Sequence, residues 1–190
     1  RIGVLTEMKV GREVQADVAA AAWECGQPLE QHGARVEPLQ PFITRDMLDG
    51  ICGFFEARSH LDISRLPEAT RAKILPFIVR WATWRAGKFS GDTVMAFYAQ
   101  VMAMREATVK ATHGCDFVIT PTSPIPAFEA EYCCPDNDPE RALEHIAFTV
   151  PYNMSEQPAA SINWSYSTQK RTVGLPIGNL SSQFFANVYL

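Results

Sequence analysis

No apolar run in this chain approaches the roughly 20 residues that a membrane-spanning helix needs, because Arg, Lys or Pro interrupts each one well before that. A membrane-embedded role is therefore not expected. Positive charge is not in excess either. Seventeen Lys and Arg face 21 Asp and Glu, a net charge of -4. That balance argues against a broad electropositive face for nucleic acid and points to a small-molecule or protein partner. Cysteine is sparse and uneven: Cys25, Cys52, Cys115, Cys133 and Cys134. An odd, scattered set reads as reduced thiols in the cytosol. Cys133 and Cys134 are adjacent rather than spaced as C-x-x-C, and His145 stands alone, so neither a metal site nor a cofactor is expected. No Gly- and Ser-rich loop is present, and no internal repeat or low-complexity segment. Arg1 leads straight into strand-like sequence with no initiator Met or signal peptide, which suggests that the chain begins inside a larger gene product. Without a secretory signal, Asn153-Met-Ser, Asn163-Trp-Ser and Asn179-Leu-Ser read as chance matches to the glycosylation pattern.

What is present is an ordinary globular mixture, 190 residues with 47% hydrophobic and 20% charged, enough for one domain with a sizeable core. Residues 1–6 (RIGVLT) read as a buried strand. Val14 to His32 then places Val14, Val18, Ala21, Ala22, Cys25 and Leu29 on one helical face. Gly33 suits a helix C-terminus, and Ala34 to Val36 can return as a strand. This order predicts an α/β fold, a mixed β-sheet flanked by helices. Further helices are expected over Asp46–Arg58 and Pro67–Arg85, the second broken or kinked at Pro76. Another is expected from Thr93 to about Thr112, capped by Asp92, with Phe97, Val101, Met104, Thr108 and Ala111 on one stripe. The strand Cys115–Thr120 is ended by Pro121, and Glu140–Ala147 offers a short helix.

Three stretches share a pattern. Residues 148–178 read FTVPYNMSEQPAASINWSYSTQKRTVGLPIG, residues 115–122 read CDFVITPT, and Ile2, Gly3, Leu29, Glu30, Gly33, Ala34 and Val36 frame the first helix. Together they resemble the closing half of the amidase-signature hydrolases. There Phe-Thr-x-Pro-x-Asn leads into Pro-Ala-x-Ser and Gly-Leu-Pro-Ile-Gly, and a strand ends in Asp-x-Leu-x-x-Pro-Thr near the substrate cleft. The resemblance implies the C-terminal part of the amidase-signature fold and the cleavage of carboxamide C–N bonds by a Ser-Ser-Lys mechanism. In the family the nucleophile sits on a Gly- and Ser-rich loop upstream of these motifs. Here Ser59, Ser64, Ser90 and Ser123 stand apart from each other and from any Gly-Gly pair. Lys9, Lys73, Lys88, Lys110 and Lys170 lie mostly in polar contexts. No catalytic residue is assigned, and the chain alone is expected to be inactive.

The contribution expected of this segment is part of the wall that faces a small amide substrate. Asn153, in the Phe-Thr-x-Pro-x-Asn match, can both donate to and accept from a substrate amide, or it can brace a buried loop. Thr122 and Ser123 can face substrate or stabilise the turn after their strand. Trp81, Trp84 and Phe89 can line an acyl pocket or simply pack the core. The chain departs from the family at Glu156, where Gly is usual, and at Asn163, where many members have Pro. The related glutamine amidotransferase subunits usually carry Asp at the position of Ile146, which favours a general amidase here.

After Gly178 the resemblance gives way. Residues 174–190, GLPIGNLSSQFFANVYL, are similar instead to a palm segment of reverse transcriptases. Residues 1–178 are therefore expected to form a partial amidase-signature domain, and residues 179–190 a foreign tail. The tail has no Asp or Glu to hold catalytic metal ions. Two other functions stay open: a non-catalytic binding or assembly module and, on the tail alone, part of a nucleic-acid-acting protein. Loss of an upstream half would leave sheet surface exposed and favour self-association.

Overall fold

The computed structural model describes residues 1–162 and residue 164. Three parallel strands form its sheet: β1 (Ile2–Val4), β2 (Val36–Pro38) and β3 (Phe117–Ile119), in the order β2-β1-β3. Ile2 is in register with Val36 on one side and Phe117 on the other. Central placement explains why Ile2, Gly3 and Val4 are all buried: a strand paired on both edges keeps little surface. The mixed sheet expected from the sequence is thus a parallel one among the described strands.

Helix α1 (Ala16–Gln31) makes the crossover between β1 and β2. Ala22 and Gly26 face the sheet, and Leu29, expected on that face, is 41% exposed. Gly26 is the closer approach. A Cβ there would stand 2.9 Å from Val36 Cγ1, so the helix and strand meet where no side chain intervenes.

A helical layer follows. Helix α2 (Arg45–Ser64) starts where the Thr44 hydroxyl accepts from Met47 N at 3.3 Å, and it runs beyond the expected Arg58. The expected helix over Pro67–Arg85 is divided into α3 (Glu68–Arg71) and α4 (Pro76–Thr83). Pro76 opens α4 because its missing N–H would be unsatisfied in a first turn anyway. Helix α5 (Gly91–Thr112) is capped by Ser90, whose hydroxyl accepts from Thr93 N at 3.1 Å. The expected cap, Asp92, already lies inside the helix. Val101, Met104 and Thr108 are buried as the stripe required, and Thr108 satisfies its hydroxyl on Met104 O at 2.7 Å. The expected helix 140–147 is two 3-10 turns instead, Pro139–Arg141 and Glu144–Ile146.

The motif beginning at Phe148 folds as helix α6 (Val150–Ser155). Phe148 and Val150, each at most 1% exposed, pack with Leu5, Met8, Ile51 and Met104 in the core. The motif thereby joins the end of β1 to α2 and α5.

Candidate active-site wall

The chain leaves β1 through α1 toward β2, and β3 lies on the opposite side of β1. At such a reversal the connections part, leaving a crevice beyond the carboxyl ends of the strands. Two segments border it here. One is the connection from Leu5 to Gln15, and the other is the run from Thr120 to Ile125. They are stitched together where Leu5 N donates to Ile119 O and Gln15 N to Pro124 O, both at 2.9 Å.

The first segment takes a tight path. Lys9 (φ 59°) and Gly11 (φ 77°) both adopt the left-handed conformation. At Gly11 a Cβ would come within 3.0 Å of Ala147 Cβ and closer still to the Glu144 carbonyl, so no side chain fits. Arg12 N donates to that carbonyl at 3.1 Å, and the Arg12 guanidinium pairs with Asp136. Arg141 bonds Asp136 and Glu144, each at 2.8 Å. Arg12 holds the Asp136 carboxyl below the usual carboxylate range, with desolvation opposing it. The loop so fixed surrounds a concavity of about 430 Å³ lined by Thr6, Lys9, Arg12 and Val14. In the sequence Lys9 reads only as a cation in a polar context and Val14 only as part of a helical face, so the tight path was not foreseen. Lys9, a non-glycine residue in left-handed geometry, carries no local signal.

Thr122 and Ser123 lie half-buried in the second segment, between the buried Pro121 and Pro124. The Ser123 hydroxyl accepts from Ile125 N at a long 3.4 Å, a turn-stabilising contact, and Thr122 has no side-chain hydrogen bond among the described residues. Asn153 is exposed on α6, and its amide is likewise unengaged among the described residues. The structure brings Thr122 and Ser123 together beside the crevice. No hydrogen bond links either of them to Asn153.

A second concavity, of about 250 Å³, lies between α2, α5 and the residues that follow α4. Arg45, Cys52, Trp84, Arg85, Phe97 and Glu140 are among its walls. Arg85 grips the Glu56 carboxylate through Nε (2.6 Å) and Nη2 (2.9 Å) and lies over the rings of Trp84 and Phe89. Burial, with help from the Glu56 and Asp49 charges, pushes the Cys52 thiol up to about 12. Trp84 therefore lines a pocket, whereas Phe89 packs edge-on against Phe97 with centroids 5.1 Å apart. The Glu56–Arg85 pair was not foreseen. Its signal is an acid set among the apolar residues of α2.

A small parallel sheet flanked by helices, with a crevice at its carboxyl ends, defines an α/β protein. The chain belongs to the amidase family, whose pattern matches residues 1–186 and so runs past Gly178. Two solved structures of a 6-aminohexanoate cyclic dimer hydrolase, one complexed with substrate, share the fold at 21% and 22% identity. Each has a TM-score of 0.58 and covers 82% of this chain. The chain spans 36% of the length of those hydrolases. No curated protein matches it. The motifs from Asn163 and from 165 to 190, including Gly-Leu-Pro-Ile-Gly and the tail, lie outside the described residues.

Proposed function

We propose that this chain forms part of the substrate-cleft wall of an amidase that hydrolyses small carboxamides, and that it does not turn over substrate alone. The observation that carries this reading is the placement of Thr122 and Ser123 at the carboxyl end of β3, beside the reversal of the sheet. A hydroxyl there serves an amide as donor to its carbonyl or acceptor from its N–H. The solved structures with this fold are of a 6-aminohexanoate cyclic dimer hydrolase, which supports a small molecule as the class of substrate. Asn153 supplies a further amide contact from α6 in this reading. The tail from residue 179 is treated as dispensable to the cleft. All five cysteines are free thiols, which supports a cytosolic location.

The test is a titration of the isotopically labelled chain with small aliphatic and aryl carboxamides. Backbone resonances of residues 120–125 are expected to shift, and the shifts to weaken in Thr122→Val and Ser123→Ala. Shifts spread evenly over the surface, or unaffected by both substitutions, would remove the assignment.

A further inference from the structure

From Ser64 to Trp81 no residue is buried, and α4 buries only Ala82. Residues 64–81 thus lie on the body with no fully buried side chain, and Ala82 is the single core anchor of α4. The backbone hydrogen bonds of this stretch are local, such as Arg71 N to Pro67 O and Val79 N to Leu75 O. Among the described residues, hydrogen bonds to distant parts of the chain come from two side chains. Arg80 Nη2 donates to Asn137 O at 3.2 Å, and Arg85 makes its two-bond grip on Glu56.

Those ties are unequal. Glu56 is 2% exposed, and a carboxylate so enclosed needs its partner. Arg85 is held flat by Trp84 and Phe89, with its guanidinium carbon 5.1 and 5.6 Å from the ring centroids. Pro67 lies near the start of the stretch, at the N-terminus of α3, and Gly87 follows its end with His60 near its open side. These are the positions where a segment can swing about its ends. Trp84 and Arg85, at the end of the stretch, are also walls of the 250 Å³ pocket.

We propose that residues 66–84 are a lid over the pocket between α2 and α5, latched shut by the Glu56–Arg85 pair. Release of the latch lifts Trp84 and Arg85 from the pocket and widens the approach to the half-buried Cys52, beside the already exposed Arg45. The walls left behind offer guanidinium and carboxylate edges beside the Phe97 ring. The lid therefore admits a small polar molecule rather than a long apolar one.

Cys52 is the reporter. In the intact chain its alkylation by iodoacetamide, followed by peptide mass spectrometry, is compared with that of Cys25 and Cys133. Arg85→Gln breaks the latch. Loss of Arg85 also removes a positive charge that favours the Cys52 thiolate, so electrostatics alone would slow the reaction. An accelerated reaction then reports access. The expected result is a rise of about tenfold or more at Cys52, the scale set by one charge-assisted bidentate contact, with Cys25 and Cys133 unchanged. An unchanged Cys52, or all three thiols rising together, overturns the proposal. Should Arg85→Gln fail to fold, hydrogen exchange on the unsubstituted chain decides. Amides of 68–83 exchanging well ahead of those in α2 and α5 support the lid, and exchange at a common rate overturns it.

Discussion

Glu156 bonds both terminal nitrogens of Arg105, at 2.8 and 3.3 Å, from a backbone in the left-handed conformation (φ 60°, ψ 23°) at the end of α6. The arrangement explains why the family prefers Gly there: an L side chain is strained at this φ and glycine is not. In this chain Arg105 favours the Glu156 carboxylate and lowers its pKa. Glu156→Gly exchanges one advantage for the other, and the thermal midpoint is expected to stay within about 3 °C. Glu156→Val removes the ion pair while keeping and worsening the strain, so it should melt clearly lower. A calorimetric scan of the three proteins checks both outcomes.

Helices α2 and α5 meet through glycine. At Gly50 a Cβ would lie 3.2 Å from the Phe97 carbonyl and closer to Gln100 Cβ, whereas at Gly53 its nearest neighbours would be atoms of the Phe97 ring. A ring can turn aside and a carbonyl cannot. Overpacking costs about 1–3 kcal/mol and alanine returns up to about 1 in helix propensity. Gly50→Ala is therefore expected to destabilise by about 1–2 kcal/mol and Gly53→Ala by less, as read from urea midpoints.

His145 packs edge-on against Phe128, and burial followed by the Arg12 charge lowers its pKa from 6.5 to about 4. The unfolded chain thus binds a proton near pH 6.5 that the folded chain refuses until about pH 4. Stability from this group is whole above pH 6.5 and is lost as the pH falls toward 4, to a total of roughly 3 kcal/mol. Urea midpoints from pH 7.5 to 4 should show that slope, and His145→Gln should flatten it. Parallel curves for the two proteins would mean another group is responsible.

Because Ser59, Ser64, Ser90 and Ser123 stand apart from one another and from any Gly-Gly pair, no Ser-Ser-Lys arrangement is expected of this chain. The purified chain is expected to give no hydrolysis of small aliphatic or aryl amides above background, and no labelling by fluorophosphonates. Turnover that copurifies through successive columns would require a different nucleophile.

Helix α5 carries Met95, Tyr98, Met102 and Val109 at 44–64% exposure, and Phe117 on β3 is 73% exposed. Apolar area of this kind on a lone chain favours association. Sedimentation at micromolar concentration should show species above the monomer, and Met102→Lys should reduce them. A monomer that binds no hydrophobic dye would overturn the expectation.

The framework was legible because its signals were local. The Gly33 turn and Pro121 mark where helix and strand end, and Pro76 divides what periodicity alone would join. The family motif at 115–122 drew attention to Thr122 and Ser123, which lie in the run that follows β3. What escaped depends on distant partners. Leu29 is displaced from the sheet because Gly26 allows Val36 so close, and Ser90 replaces Asp92 as cap because the helix starts at Gly91. The loop at Lys9 is held by Glu144 and Asp136, more than 120 residues away in sequence, and nothing near Lys9 announces it.

The pairing of Ile2 with both Val36 and Phe117 has a kinetic consequence. The first partner arrives through a single crossover helix. The second must wait until about three times as much chain has been organised, and non-local pairings of this sort slow folding. During synthesis the central strand stays half-paired while the roughly 80 residues between β2 and β3 emerge, with one edge unsatisfied until β3 appears. Substitutions in β3 should then act on the rate of unfolding more than on the rate of folding.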